Sequence, residues 1–286
     1  MASMGVVLRA VFYPATLLLF GASLFLVYAP DQIERKAAVR MRSGAAVAAL
    51  ISGAAILVIH TAVVSGETLL HTLSGGTLLT AVRETTFGRA GALRLLLVAV
   101  LLVVTGVPRL DGVRAVLAGI IIASIAWSGH PVGTPGRVHV LADAIHLLAA
   151  GAWLGGLLPL AWALAGDRGL ASVALTARFS QLGVLCVGAL LVTGLVNAWF
   201  LVGGLSALVG TAYGHLLCVK LALFVVMLLV AATNRFILTP RLPQASAQRQ
   251  IAVNAATEVA LGVLIVLIVA ALGVMVPGVH AVVHMH

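Results

Sequence analysis

The chain has 286 residues, of which 62% are hydrophobic and 9% charged, with a formal net charge of +9 and a mean hydropathy of +1.18. So little polar surface cannot cover a water-soluble globule, which excludes soluble enzymes and soluble nucleic-acid-binding domains as classes. Loop arginines facing anionic lipid account for the pI near 11.0, so the partner expected is a lipid bilayer and no nucleic acid.

Apolar runs of about 18 residues or more suffice to cross a bilayer as helices. Eight spans are predicted, near residues 6–28, 44–66, 91–107, 112–128, 139–164, 180–202, 214–235 and 252–276. The first is too long for a signal peptide and no Ala-x-Ala cleavage site follows it, so it reads as a span. The third and fourth are short and flank "PRLDG" (Pro108 to Gly112), which fits either two spans or a re-entrant pair. The largest piece outside the spans runs from Glu67 to Ala90. The expected fold class is therefore all-α, a polytopic transmembrane bundle of about eight helices. Residues 1–276 would form one domain, with 277–286 as a tail carrying His and Met.

Short loops rich in Lys and Arg stay in the cytoplasm. Arg35, Lys36, Arg40 and Arg42 share one side with Arg109, Arg114, Arg168, Arg178, Arg235, Arg241 and Arg249, while the other side has Arg9, Arg83, Arg89, Arg94 and Arg137. Both termini are then expected outside the cytoplasm. With that topology all nine histidines fall in the outer half: His60, His71, His130, His139, His146, His215, His280, His284 and His286.

The run "GRVHVLADAIHLLAAGAWLGGLLPL" (Gly136 to Leu160) opens the fifth span with His139, Asp143 and His146. At about 100° per residue these share one narrow helical face. If the second helix continues past the surface, His60, Glu67 and His71 form a second such stripe. Ionisable groups inside spans face the bundle interior, because lipid contact costs several kcal/mol. Imidazole suits copper, zinc, iron and nickel, and an adjacent carboxylate can orient an imidazole or ligate directly.

The candidate metal ligands are His60, His130, His139 and His146 with Asp143. Behind them come Glu67, His71, His215, Met275, His280, His284, Met285 and His286, and the soft donors favour Cu(I) among the copper states. Cys186 and Cys218 lie at different depths, so no disulfide is expected. Trp127, Trp153 and Trp199 include interface anchors. Lys220 and Glu258 are charges inside spans, and Glu258 reads as an exit or proton site, or as a structural partner of the basic inner loops.

The segment Ala177 to Leu242 resembles the core of the CopD/PcoD copper-resistance membrane family. Arg178-Phe179-Ser180, Thr193-Gly194, Tyr213-Gly214, Lys220 and Asn234-Arg235 match its pattern, and the preceding segment is similar through His146, Trp153, Gly155 and Gly156. His215, after Tyr-Gly, departs from it. The resemblance implies copper movement across the bacterial inner membrane, inward from the periplasm, with a periplasmic copper-binding partner of the CopC type. The expected cargo is a copper ion, Cu(I) or Cu(II), and no catalytic residue is assigned. Without a Walker loop, transport would run down a gradient or with protons. Two other readings share the same residues: a haem b cytochrome with His60 and His146 as axial ligands, and a copper-binding assembly protein that does not transport.

Overall fold

The computed structural model describes residues 2–30, 33–107, 109–128, 137–165, 170–241 and 244–279. Eight helical stretches among them are long and apolar enough to cross a membrane. They are α1 (Ala2–Tyr28), α2 (Arg35–Ser65), α5 (Thr86–Val104), α6 (Asp111–Ala123) with its 3₁₀ continuation Ser124–Ser128, α7 (Arg137–Ala165), α8 (Leu170–Val202), α10 (Ala212–Thr233) and α11 (Ala245–Leu272). Short helices α3 (Leu69–Ser74), α4 (Thr77–Glu84) and α9 (Leu205–Gly210) join them, and no strand occurs among the described residues. Helices dominate because each satisfies its own backbone amides where lipid offers no partner.

The expected spans are recovered with differences at their ends: α8 begins at Leu170 rather than near residue 180, and α2 departs from expectation at both ends. α2 begins at Arg35 rather than near residue 44, so Arg35, Lys36, Arg40 and Arg42 stand on helical turns instead of in a loop. α2 then ends at Ser65, because Gly66 adopts φ 71° and its N–H turns back to the Ala62 carbonyl. This left-handed cap is favourable for glycine. It breaks the continuation that would have put His60, Glu67 and His71 on one stripe: Glu67 lies in the connection and His71 on α3.

The "PRLDG" region joins two separate spans. Arg114, 1% exposed, donates through Nε and NH2 to the Val104 carbonyl at 2.9 and 2.8 Å, and also to the Val107 carbonyl. It thereby satisfies carbonyls left open at the end of α5. Asp111 bridges Arg114 at 2.6 Å and Arg42 at 2.9 Å. One acidic residue thus ties α2 to the α5–α6 hairpin.

The core forms where α1 crosses α7. A methyl at Gly21 would overlap the backbone of Gly155 and Gly156, and one at Gly155 would overlap the Leu17 carbonyl. Only glycine allows such backbone approach, which is how helices associate tightly where no hydrophobic drive separates them from lipid. α1 also packs on α2, α6 and α11, α7 packs on α8 and α11, and α10 leans on α11. The bundle has two unlike ends. One carries the starts of α7 and α10 and the ends of α2, α8 and α11, and with them the described histidines. The other carries Arg35, Lys36, Arg40, Arg42, Arg114, Arg178, Arg235, Arg241 and Arg249.

Candidate metal centre

At the histidine end, α7 and α8 lie side by side and their facing stripes hold the polar groups. His146 Nδ1 lies 2.9 Å from Thr193 Oγ1, and Thr193 Oγ1 donates its proton to the Ala189 carbonyl at 2.6 Å. A threonine hydroxyl has one proton, so in this bond the imidazole Nδ1 is the donor. The lone pair of the neutral ring then sits on Nε2. Holding one ring nitrogen by a hydrogen bond while the other keeps its lone pair is the arrangement that orients metal-ligating histidines. The ring lies alongside Gly194, where a methyl would stand in ordinary contact at 3.6 Å from His146 Cε1.

One turn toward the same end, Asp143 Oδ1 accepts from Asn197 Nδ2 at 3.2 Å. Asn197 Oδ1 is buried without a hydrogen-bond partner, so a carbonyl-type donor atom is left over beside the carboxylate. Lys220 on α10 interacts electrostatically with both Asp143 and His146. His139 is fully buried and stacks flat on Phe200 of α8, with centroids 4.8 Å apart and planes 12° apart. Together these groups form a polar layer shared by α7, α8 and α10.

The remaining candidates are dispersed. His60 on α2 stacks on Phe87 of α5 at 3.9 Å, away from α7. Glu67 Oε1 accepts from Thr77 at 3.1 Å and its Oε2 is buried without a partner. His71 is exposed on α3. The ring of exposed His215 is bonded to the Val209 carbonyl through Nε2 at 2.7 Å, and Met275 packs against the small cluster around Val202 and Tyr213. His130, His280, His284, Met285 and His286 lie outside the described residues. Among the described residues, no three of His, Cys, Asp and Glu converge on one point as a metal cage.

Thr193 and Asn197 are the site residues that reading single ionisable groups missed, although polar side chains four apart in the apolar run of α8 mark a face. Cys186 is buried and Cys218 exposed, both free, as their depths implied. Trp127 and Trp199 are 47% and 76% exposed, as anchors would be, whereas Trp153 is 3% exposed and belongs to the interior.

The fold and this layer define a polytopic helical membrane protein with ionisable groups held inside its spans, the hallmark of a functional site within a membrane domain. The family described as copper resistance protein D matches residues 173–272, and that described as copper resistance protein D-like, N-terminal domain, matches residues 1–140. Copper resistance protein D from Pseudomonas syringae pv. tomato is 31% identical over 97% of this chain and 98% of its own. Inner membrane protein YebZ from Escherichia coli (strain K12) is 30% identical over 84% of this chain and 86% of its own. Copper transport protein CutJ from Bacillus subtilis (strain 168) is 36% identical over 42% of this chain and 23% of its own. The chain belongs to the copper resistance protein D family. No solved structure matches it.

Proposed function

We propose that this protein binds copper ions at the histidine end and carries them across the bacterial inner membrane from the periplasm to the cytoplasm. The observation that carries the reading is the His146–Thr193–Ala189 hydrogen-bond chain, which leaves the Nε2 lone pair of a half-buried imidazole available to a soft or borderline metal. Asp143 and the spare Asn197 carbonyl supply charge and a further oxygen on the same seam. His139 lies one turn beyond Asp143 toward the surface. His60, His130 and the tail histidines His280, His284 and His286 serve as collecting ligands at the periplasmic mouth, with Met285 as a soft donor. The arginine end faces the cytoplasm by charge asymmetry, and a periplasmic CopC-type protein is the expected copper donor.

The test is copper uptake into proteoliposomes of known orientation, with bound metal measured on the same samples, for wild type and His146→Ala. The expected outcome is uptake by wild type and its loss in the variant. Stoichiometric binding without uptake would turn the reading into copper binding for delivery to another protein. A Soret band in the purified protein would overturn the copper assignment in favour of haem.

A further inference from the structure

At the arginine end a cavity of about 320 Å³ lies between α7, α8, α10 and α11. It exists because α8 packs along α7 and α10 along α11 while α7 and α11 pack on each other, which leaves α8 and α10 apart. Its walls are mainly apolar, but Glu258, Asn234, Ser180 and Thr176 reach it. Glu258 is 3% exposed, Thr176 is 5% exposed, and the Thr176 hydroxyl is buried with no hydrogen-bond partner. A polar atom so placed on an otherwise apolar wall marks where water or a polar ligand completes the site.

The carboxylate is held from one direction. Gln250 donates to Asn254 at 2.9 Å, Asn254 to Asn234 at 2.7 Å, and Asn234 to Glu258 Oε1 at 2.7 Å. The chain begins at the exposed Gln250, and every amide in it points its donor toward the carboxylate. Arg235 is the other charged residue among the described ones lining the cavity, and its guanidinium is turned to Ser180, donating to the carbonyl and the hydroxyl at 3.1 and 2.7 Å. α7 and α8 contribute no charged group to the lining, and α11 contributes only Glu258. The π-helical turn Asn234–Leu238 lets three consecutive residues, Asn234, Arg235 and Phe236, face the same space. A regular helix would spread them over about 200°, and π-turns inside helices recur at functional sites.

The cavity and the copper-side layer share one seam. On α7 the stripe His139, Asp143, His146 continues at the same spacing to Trp153, which lines the cavity. On α10, Lys220 precedes Phe224 by one turn. Trp153 and Phe224 meet edge to face at 6.2 Å and 82°, so an aromatic pair separates the polar layer from the cavity. The donors below it are oxygens and amides, a poor set for Cu(I), which prefers sulfur and nitrogen, but a single oriented carboxylate takes a proton readily.

We infer that this cavity is a proton-binding site at Glu258, reached by water from the arginine end and closed from the histidine end by Trp153 and Phe224. Its use to couple protons to copper rests on the transport reading above. The site itself does not, and is tested without copper. With Cys186→Ala and Cys218→Ser as background, Ala255→Cys and Ala232→Cys, both on the cavity wall, are exposed to a membrane-impermeant cationic methanethiosulfonate from each face of oriented proteoliposomes. Infrared difference spectra follow the carboxylic acid band as the pH bathing the arginine end is changed.

The expected result is modification of both cysteines from the arginine end alone, and a titrating acid band that is lost in Glu258→Gln and kept, shifted, in Glu258→Asp. Modification only by a lipid-soluble maleimide would mean acyl chains fill the cavity and would overturn the proposal. Reagent entry from the histidine end, or a band unchanged in Glu258→Gln, would overturn it equally. A wild-type protein that failed to carry copper would sink the transport reading while leaving these two readouts to judge the proton site.

Discussion

At the scale of single residues, Thr193 matters through the proton it takes from His146. Its hydroxyl proton is committed to Ala189, so its oxygen is the acceptor that keeps the imidazole in the tautomer with an Nε2 lone pair. Thr193→Val removes that acceptor and keeps the shape, and copper affinity should fall about 10- to 100-fold, as when such an orienting partner of a ligand is lost. Thr193→Ser should keep most of it. Isothermal titration of copper into purified protein makes the comparison, and equal affinities for the valine and serine variants would refute the tautomer argument. Asp111 gives a second expectation of a different kind. Its removal leaves the side chains of Arg42 and Arg114, 3% and 1% exposed, without their counter-charge. Because the carboxylate is itself 38% exposed and partly screened, Asp111→Ala should cost about 1–3 kcal/mol, seen as a lowered melting midpoint in detergent with copper affinity unchanged.

At the scale of elements, the α1–α7 crossing sets the position of everything else, because α7 carries the histidine stripe on one face and the glycine contact on another. Gly155→Ala forces a methyl into the Leu17 carbonyl, and backbone cannot give way as a side chain can. A loss of about 1–3 kcal/mol or more is expected, with copper affinity falling as α7 shifts against α8. Gly188→Ala, at an exposed position of α8, meets nothing within 4 Å, and should leave stability unchanged or raise it by about 0.5–1 kcal/mol of helix propensity, with the melting midpoint unchanged or higher. Comparing the two midpoints separates contact from propensity.

The spans themselves were legible in the sequence because twenty apolar residues in lipid admit little besides a helix. The Gly66 cap, the helical start of α2 at Arg35 and the π-turn at Asn234 were not, since each depends on a local backbone choice that hydropathy averages away. The stripe on α7 was visible from spacing alone. Its partners on α8 were not, because which helix lies beside which is decided by packing such as Gly21 on Gly155, and no periodicity encodes that neighbour.

For the molecule as a whole, the two matched regions, residues 1–140 and 173–272, meet across α7, which packs on α1 and α6 from the first and on α8 and α11 from the second. A metal ion held between the α7 and α8 stripes would bind the assembled bundle and not the separated helices, so binding and global stability are linked. At a free copper concentration 100 times the dissociation constant, about 2.7 kcal/mol of stabilisation is expected. The melting midpoint should rise with copper and return to its starting value on chelation. His146→Ala should abolish the rise without much change in the midpoint of the metal-free protein, because the ring's hydrogen bond to Thr193 contributes only about 1 kcal/mol. Asp111→Ala should behave oppositely, starting lower and rising by the full amount, since its ion cluster lies at the arginine end. If copper stabilised His146→Ala as much as wild type, the metal would be bound elsewhere, and the proposal of a copper site on the α7–α8 seam would fall.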